Sequence, residues 1–329
     1  MLSYECFSKK AGFDEVLTQK CHDYLCVKET SGIQIEKPMQ ILLRFLRMCQ
    51  SCGAPLDHAS KVAVERWNSK DPNETPRNHY YRATEVRRFL RYLVANGVDA
   101  YIDEDIRWTR SNFIPYIFSH DEIRSIFSAV DSLPYTPISP QRVPVMRLLF
   151  RMLYGCGLRV SEALALVMDD VDLDNGILRI RNSKFGKERL VPMSESLTKR
   201  CAEYSAVICT GRSSTAPFFQ TPQGGPYCVG TIYYAWRQIL YHAGISHGGK
   251  GHGPRIHDIR HTFAVHCLQR WVDENIDLET VLPYLSTYMG HVGISSTQEY
   301  LHLTSELFPQ ITRAFEGAFD VFPKVEVSE

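Results

Sequence analysis

The segment His257-Asp258-Ile259-Arg260-His261 sets two imidazoles and a guanidinium within little more than one helical turn. Two chemistries suit that spacing. Histidines at i and i+4 share a helix face and can bind zinc, with Asp258 where a zinc protease carries glutamate. Aspartate there is a departure, and spacing fixes no third ligand. His257 and Arg260 also share a face, near a helix start just after Pro254. That pair suits a phosphate: the guanidinium gives paired hydrogen bonds to non-bridging oxygens, and the imidazole donates or accepts a proton. Alone the pair means little. It is joined by Arg159, in a glycine-loosened turn entering a helix (Gly157-Leu158-Arg159-Val160-Ser161-Glu162), and by Lys184, in the sheet turn Ser183-Lys184-Phe185-Gly186-Lys187. His291 follows in Met289-Gly290-His291, and Tyr300 comes nine positions later in Thr297-Gln298-Glu299-Tyr300-Leu301. Taken singly, Arg159 reads as a surface ion-pair arginine, Lys184 as a solvated turn lysine, His291 as a core histidine and Tyr300 as one packing tyrosine among 17.

Other local patterns are rejected. Asp170-Val171-Asp172-Leu173-Asp174 begins like a calcium loop, but Asn175 replaces the sixth-position glycine and Arg181 the twelfth-position glutamate. Cys49-Gln50-Ser51-Cys52 has no partner pair at a zinc spacing. No nucleotide phosphate loop is present, so nothing argues for ATP.

These residues must be positioned by helices, for the most part. The first hundred residues read as helical over Phe13–Lys28, Lys37–Cys52, Lys61–Ser69 and Arg77–Asn96, with Gly and Pro breaks between. In the second, Ile41, Leu42, Phe45, Leu46 and Met48 form a core stripe. In the fourth, Val86, Phe89, Leu90 and Leu93 face inward, leaving Arg82, Arg87, Arg88 and Arg91 to solvent as candidate DNA-phosphate contacts. Residues 107–118 read as a linker. Ser119 and Glu122 then form a capping box that opens a mixed second domain. There, Val143–Tyr154 and Val160–Val167 read as helices, and Asp170–Leu173, Ile177–Arg181 and Arg189–Pro192 as a small antiparallel sheet. From Thr231 the chain is helical again, broken by the glycine-rich loop His247–Pro254.

Bulk properties bound the rest. A chain of 329 residues with 44% apolar content holds two ordinary domains. Met1 to Lys10 lacks the apolar core of a signal peptide, and Val143–Leu153 is too short and too charged to span a bilayer, so a soluble, cytoplasmic protein is expected. The 10 scattered cysteines then read as reduced, mostly buried thiols. With 37 basic and 37 acidic residues there is no net charge, so phosphate binding requires charge to be segregated. Arg77–Arg91 does this, with five arginines against Glu85 alone.

In this order, the six chemistry-bearing positions resemble the catalytic motifs of the tyrosine recombinase (phage integrase, Xer-like) family. By that resemblance Arg159 is the first catalytic arginine and Lys184 the lysine of the sheet turn. His257 and Arg260 are the His-x-x-Arg pair, His291 the final histidine and Tyr300 the nucleophile. The likeness covers most of residues 119–303; the N-terminal helices resemble the family's core-binding domain less specifically. Arg260 and His291 lie 31 positions apart, longer than in compact members and similar to transposon-borne ones, with the extra length around Trp271–Leu282.

The resemblance implies a mainly α protein with a small antiparallel sheet. Its helical core-binding domain would span 1–106 and its mixed α/β catalytic domain 119–329, closing as a clamp around double-stranded DNA. It implies site-specific recombination by a homo-oligomer, a tetramer on specific recombination sites, in the bacterial nucleoid. No metal, nucleotide or other cofactor is expected. The rivals are a type IB topoisomerase and a DNA-binding regulator without catalysis; the short catalytic domain argues against the first and the intact set of six against the second. The tail from about 304, with an apolar stripe through Leu307, Ile311 and Phe315, is expected to dock on a neighbouring protomer. The chemistry stands on its own terms. Tyrosine attack on a phosphodiester builds negative charge that two preorganised arginines stabilise. Tyrosine ionises at about 10, so it needs a positive field or a base. His257 is the candidate base, His291 a phosphate partner, and Lys184 the acid for the leaving 5′ oxygen.

Overall fold

Helix caps and apolar stripes account for most of the first unit. The computed structural model describes residues 3–12, 15–53, 56–103, 114–181, 188–249 and 253–291, together with Thr297 and Tyr300. Two compact units, 1–113 and 114–329, partition the chain. The first contains α1 (Tyr4–Ala11), α2 (Val16–Thr30), α3 (Glu36–Ser51), α4 (Lys61–Asn68) and α5 (Pro76–Ala95). Ser60 and Thr75 cap α4 and α5 through their side chains. Pro76 takes the first position of α5, where its missing N–H costs no bond. Phe7, Leu25, Leu42, Phe45, Trp67 and Phe89 meet in one apolar core.

Helix α5 corrects the expectation for two arginines. Arg88 and Arg91 are exposed, but Arg82 is 7% and Arg87 9% exposed. Helical periodicity explains Arg82: it stands one turn ahead of Val86, on the stripe that continues through Phe89 and Leu93. Its guanidinium is saturated by the Glu74 carboxylate at 2.8 Å and by the carbonyls of Trp67 and Ser69, and it lies over the Trp67 ring. Glu85, the acid among these arginines, is buried too, held by Lys28, Tyr24 and Arg88.

The second unit is built around α7 (Arg142–Gly155), which is apolar on nearly every side and packs on α6 (His120–Asp131), α8 (Val160–Leu164), α9 (Glu195–Ile208) and α11 (Asp258–Asp273). Trp236 of α10 (Val229–His242) stacks on Phe150 of α7. Ser119 and Glu122 form the expected capping box on α6. A three-stranded antiparallel sheet runs in the order β1 (Val171–Asp172), β2 (Ile177–Ile180), β3 (Arg189–Pro192), with Ile180 opposite Arg189. A second core joins α11 to α12 (Leu278–Met289) through Val265, Leu268, Leu282, Leu285 and Met289.

Helices α1 and α9 go beyond the sequence-based expectation. The first is short, and the buried stripe of α9 (Leu197, Cys201, Tyr204) has only one strongly apolar member. Helix α8 stops at Leu164, because the chain then turns into a 3-10 turn, Met168–Asp170. All 10 cysteines are free thiols, five of them buried. No helix among the described residues is long and apolar enough to cross a membrane. Lys184, residues 107–113 of the expected linker and the tail from 304 lie outside the described residues.

Candidate active site

The start of α8 makes the site's electrostatic hub. Arg159 is its N-cap and Glu162 its third residue, so the Glu162 carboxylate turns back to accept the Arg159 amide at 3.0 Å and the Arg159 guanidinium at 2.5 Å. Arg189, from β3, reaches the same carboxylate with two nitrogens, at 3.1 and 2.9 Å. Arg260, from α11, stands 3.9 Å away. Burial opposes the ionised form of Glu162, but the hydrogen bonds and charge of Arg189, with the Arg159 amide and charge, outweigh it and hold the carboxyl at about 2. One anion thus gathers three cations from three elements.

Arg260 is 2% exposed. It donates to the carbonyls of Gly157 and Met289, which fixes the guanidinium without neutralising it. Burial first, then Arg159, lowers its pKa to about 10. Both flanking glycines are required. Gly157 has φ +58°, and a Cβ there would meet the Phe263 ring at 2.5 Å. Gly290, with φ +67°, ends α12 where a Cβ would press on Arg189 at 2.9 Å.

Three histidines complete the ring, all half-buried. His257 precedes α11 and titrates at about 4, pushed down by burial and then by Arg260 and Arg159. His291, just past Gly290, meets the Thr297 hydroxyl through Nδ1 at 2.7 Å, and burial with Arg260 lowers it to about 4. His261 lies edge-on to His257, with ring centroids 4.9 Å apart. Its Nδ1 is 3.1 Å from the hydroxyl of Tyr300, and burial with His257 takes it down to about 3. Tyr300 is 4% exposed, packed in the α11–α12 core with its ring near that of His291.

Five of the six sequence-derived residues therefore converge: Arg159, His257, Arg260, His291 and Tyr300. Sequence reasoning missed Glu162, Arg189 and His261 as members of this group. His261 was visible in the i, i+4 pair, but only as a zinc ligand; the structure brings His261, rather than His257, to the phenol. For Glu162 the signal was its place three residues after Arg159 at a helix start. No group of three metal-binding side chains is found among the described residues.

In the first unit, an open groove between α3 and α5 is lined by Lys37, Arg44, Arg77, Asn78, Tyr80 and Tyr81. It collects cations on a face that Arg82 does not reach with a free guanidinium.

A buried tyrosine beside paired arginines and histidines of lowered pKa suits phosphoryl transfer. Residues 117–306 match the phage integrase family. The chain is 30% identical over 309 residues to a Sinorhizobium fredii protein named "Putative integrase/recombinase y4rB", covering 92% of this chain and 98% of that one. It is 29% identical over 248 residues to the tyrosine recombinase XerD of Pseudomonas putida, covering 73% and 76% of the two chains. Its fold is similar to that of the XerH site-specific recombinase, with TM-score 0.61 at 19% identity over 86% of this chain and 80% of that one. The chain belongs to the phage integrase family of tyrosine recombinases, enzymes that break and rejoin DNA strands.

Proposed function

We propose that this recombinase exchanges strands at specific sites in duplex DNA, as a tetramer on that DNA, through a 3′-phosphotyrosine at Tyr300. The observation that carries the reading is the Tyr300 hydroxyl at 3.1 Å from His261 Nδ1, near the Arg260 guanidinium, which also feels that of Arg159. The phenol proton passes to His261 as the phenolic oxygen attacks phosphorus. The bond from phosphorus to the 5′ oxygen breaks, and that oxygen takes a proton, with Lys184 as the candidate donor. Arg159 and Arg260 stabilise the charge on the non-bridging oxygens, and His257 and His291 hydrogen-bond the phosphate. Burial is the main depressor of His261, and a scissile phosphate brings negative charge that offsets the part due to the neighbouring cations, raising its basicity. Religation reverses the steps, so the bond energy is kept without a nucleotide.

The domain bounds 1–106 and 119–329 are part of this reading, with the groove of Lys37, Arg44 and Arg77 and the exposed Arg88 and Arg91 contacting duplex phosphates. XerH is seen bound to its palindromic difH substrate in a post-cleavage complex, which supports DNA as the substrate here. The reading places the protein at the bacterial nucleoid. A pool of nicked duplexes of random sequence tests it. Wild type should capture a subset covalently, and sequencing those duplexes would define the site. Tyr300→Phe should bind that subset and capture none; normal adduct yield from the variant removes Tyr300 as nucleophile.

A further inference from the structure

Helix α11 carries Arg260 and His261 in its first turn, with His257 as its N-cap, and its opposite side meets the segment that leads into α6. This strap, residues 116–119, ends where α6 begins at His120, and it meets successive turns of α11. The Asp258 carboxylate accepts from the Arg255 amide at 2.7 Å, and the Tyr116 backbone also favours its ionised form. The Phe118 amide donates to the Thr262 hydroxyl at 3.0 Å, and that hydroxyl donates to the Asp258 carbonyl at 2.9 Å. The imidazole of His266 meets the Tyr154 hydroxyl through Nδ1 at 2.8 Å and feels the Phe118 backbone, and the His120 ring stacks on it at 3.9 Å. Asp258 and Thr262 are 1% and 0% exposed, so these partners are not exchanged for water.

The side chains of the strap alternate as an extended segment requires. Ile117 packs into the core that holds Tyr300, and Phe118 into the larger core, against Trp236. Around the helix, at about 100° per residue, the stripe of Asp258, Thr262 and His266 lies roughly 150° from that of His257, Arg260 and His261. One side of α11 therefore faces the chemistry and the other is keyed to the strap.

We propose that Asp258, Thr262 and His266 are positioning residues for strand cleavage, holding the catalytic face of α11 in place through the strap. The proposal rests on the reading of Tyr300, Arg260 and His261 given above. Its physical basis is that a displacement of about 1 Å at a reacting group costs on the order of 10²-fold in rate. Freed from the strap, α11 rolls or slides by such amounts while the rest of the unit stays folded.

Thr262→Val keeps shape and removes both the acceptor for the Phe118 amide and the donor to Asp258. Covalent capture is followed in single turnover on duplexes already bound, taken from those captured by wild type. We expect Thr262→Val to slow capture at least tenfold at unchanged duplex affinity, and Thr262→Ser, which keeps the hydroxyl, to stay within threefold of wild type. Ile126→Val, a core truncation in α6, serves as a stability control and should capture at the normal rate. Thr262→Val within threefold of wild type overturns the proposal, as does equal slowing by Ile126→Val. Amide hydrogen exchange over residues 256–264 gives a readout independent of activity: Thr262→Val should exchange faster there, and Ile126→Val should not. If wild type captures no duplex, the recombinase reading has failed, and the exchange comparison alone decides whether the strap holds the helix.

Discussion

Replacing Glu162 by glutamine keeps the shape of the side chain and removes the one charge that Arg159, Arg189 and Arg260 share. Moving a glutamate from 4.5 in the unfolded chain to about 2 in the folded protein corresponds to ~3 kcal/mol favouring the folded, ionised state. The folded pKa is the lower one, so this contribution is present above about pH 4.5 and fades as pH falls towards 2. By linkage, roughly half should remain at pH 3. Glu162→Gln should therefore cost the second unit ~3 kcal/mol at pH 7 and about half that at pH 3. A chain of two units need not unfold in one step. The measurement is hydrogen exchange at the protected amides of α7 across a urea series, which reports the second unit alone. Equal stability of variant and wild type at pH 7 would refute the reasoning. So would a deficit of the same size at pH 7 and pH 3, since that would mark lost shape rather than lost charge. Cleavage should fall along with stability, by about 10²-fold, because two arginines lose the group that aims them.

Three further outcomes are open to measurement, the last of them resting on the family resemblance alone. His257, His261 and His291 titrate at about 4, 3 and 4 in the free protein. These values lie below the ordinary one, so their contribution to stability is full above about pH 6.5 and is lost as pH falls. The pH profile of cleavage at limiting DNA should show no histidine inflection between pH 5.5 and 8; one near 6.5 would show that the ring is solvated. Arg82→Ala should destabilise the first unit by taking from Glu74 its cation and from two carbonyls their guanidinium donor, whereas Arg91→Ala should leave stability unchanged and weaken duplex binding, with a smaller salt slope in gel-shift titrations. Lys184→Ala should be impaired on ordinary DNA and close to wild type when sulfur replaces the bridging 5′ oxygen, because a thiol of pKa about 8.5 leaves without an acid. Rescue of Lys187→Ala instead would move that role to the neighbouring lysine.

The sequence by itself determined what local rules govern. The capping box of Ser119 and Glu122, the apolar stripe of α3, the helix α7 and the short strands β2 and β3 all depend on neighbours a few residues apart, whereas the pairing of Ile180 with Arg189 is read from the fold. The tertiary structure decided which partners those side chains meet. Arg82 reads as a surface cation until Glu74 and the end of α4 are folded onto it, because periodicity shows which stripe a residue occupies but not what covers that stripe. Glu162 stands three residues after Arg159 at a helix start, and only the fold brings Arg189 from β3 and Arg260 from α11 to the same carboxylate. The choice between His257 and His261 as partner of Tyr300 is likewise beyond spacing. Both lie on one helix face, and only the packing of the buried tyrosine against that face selects the imidazole that reaches its oxygen.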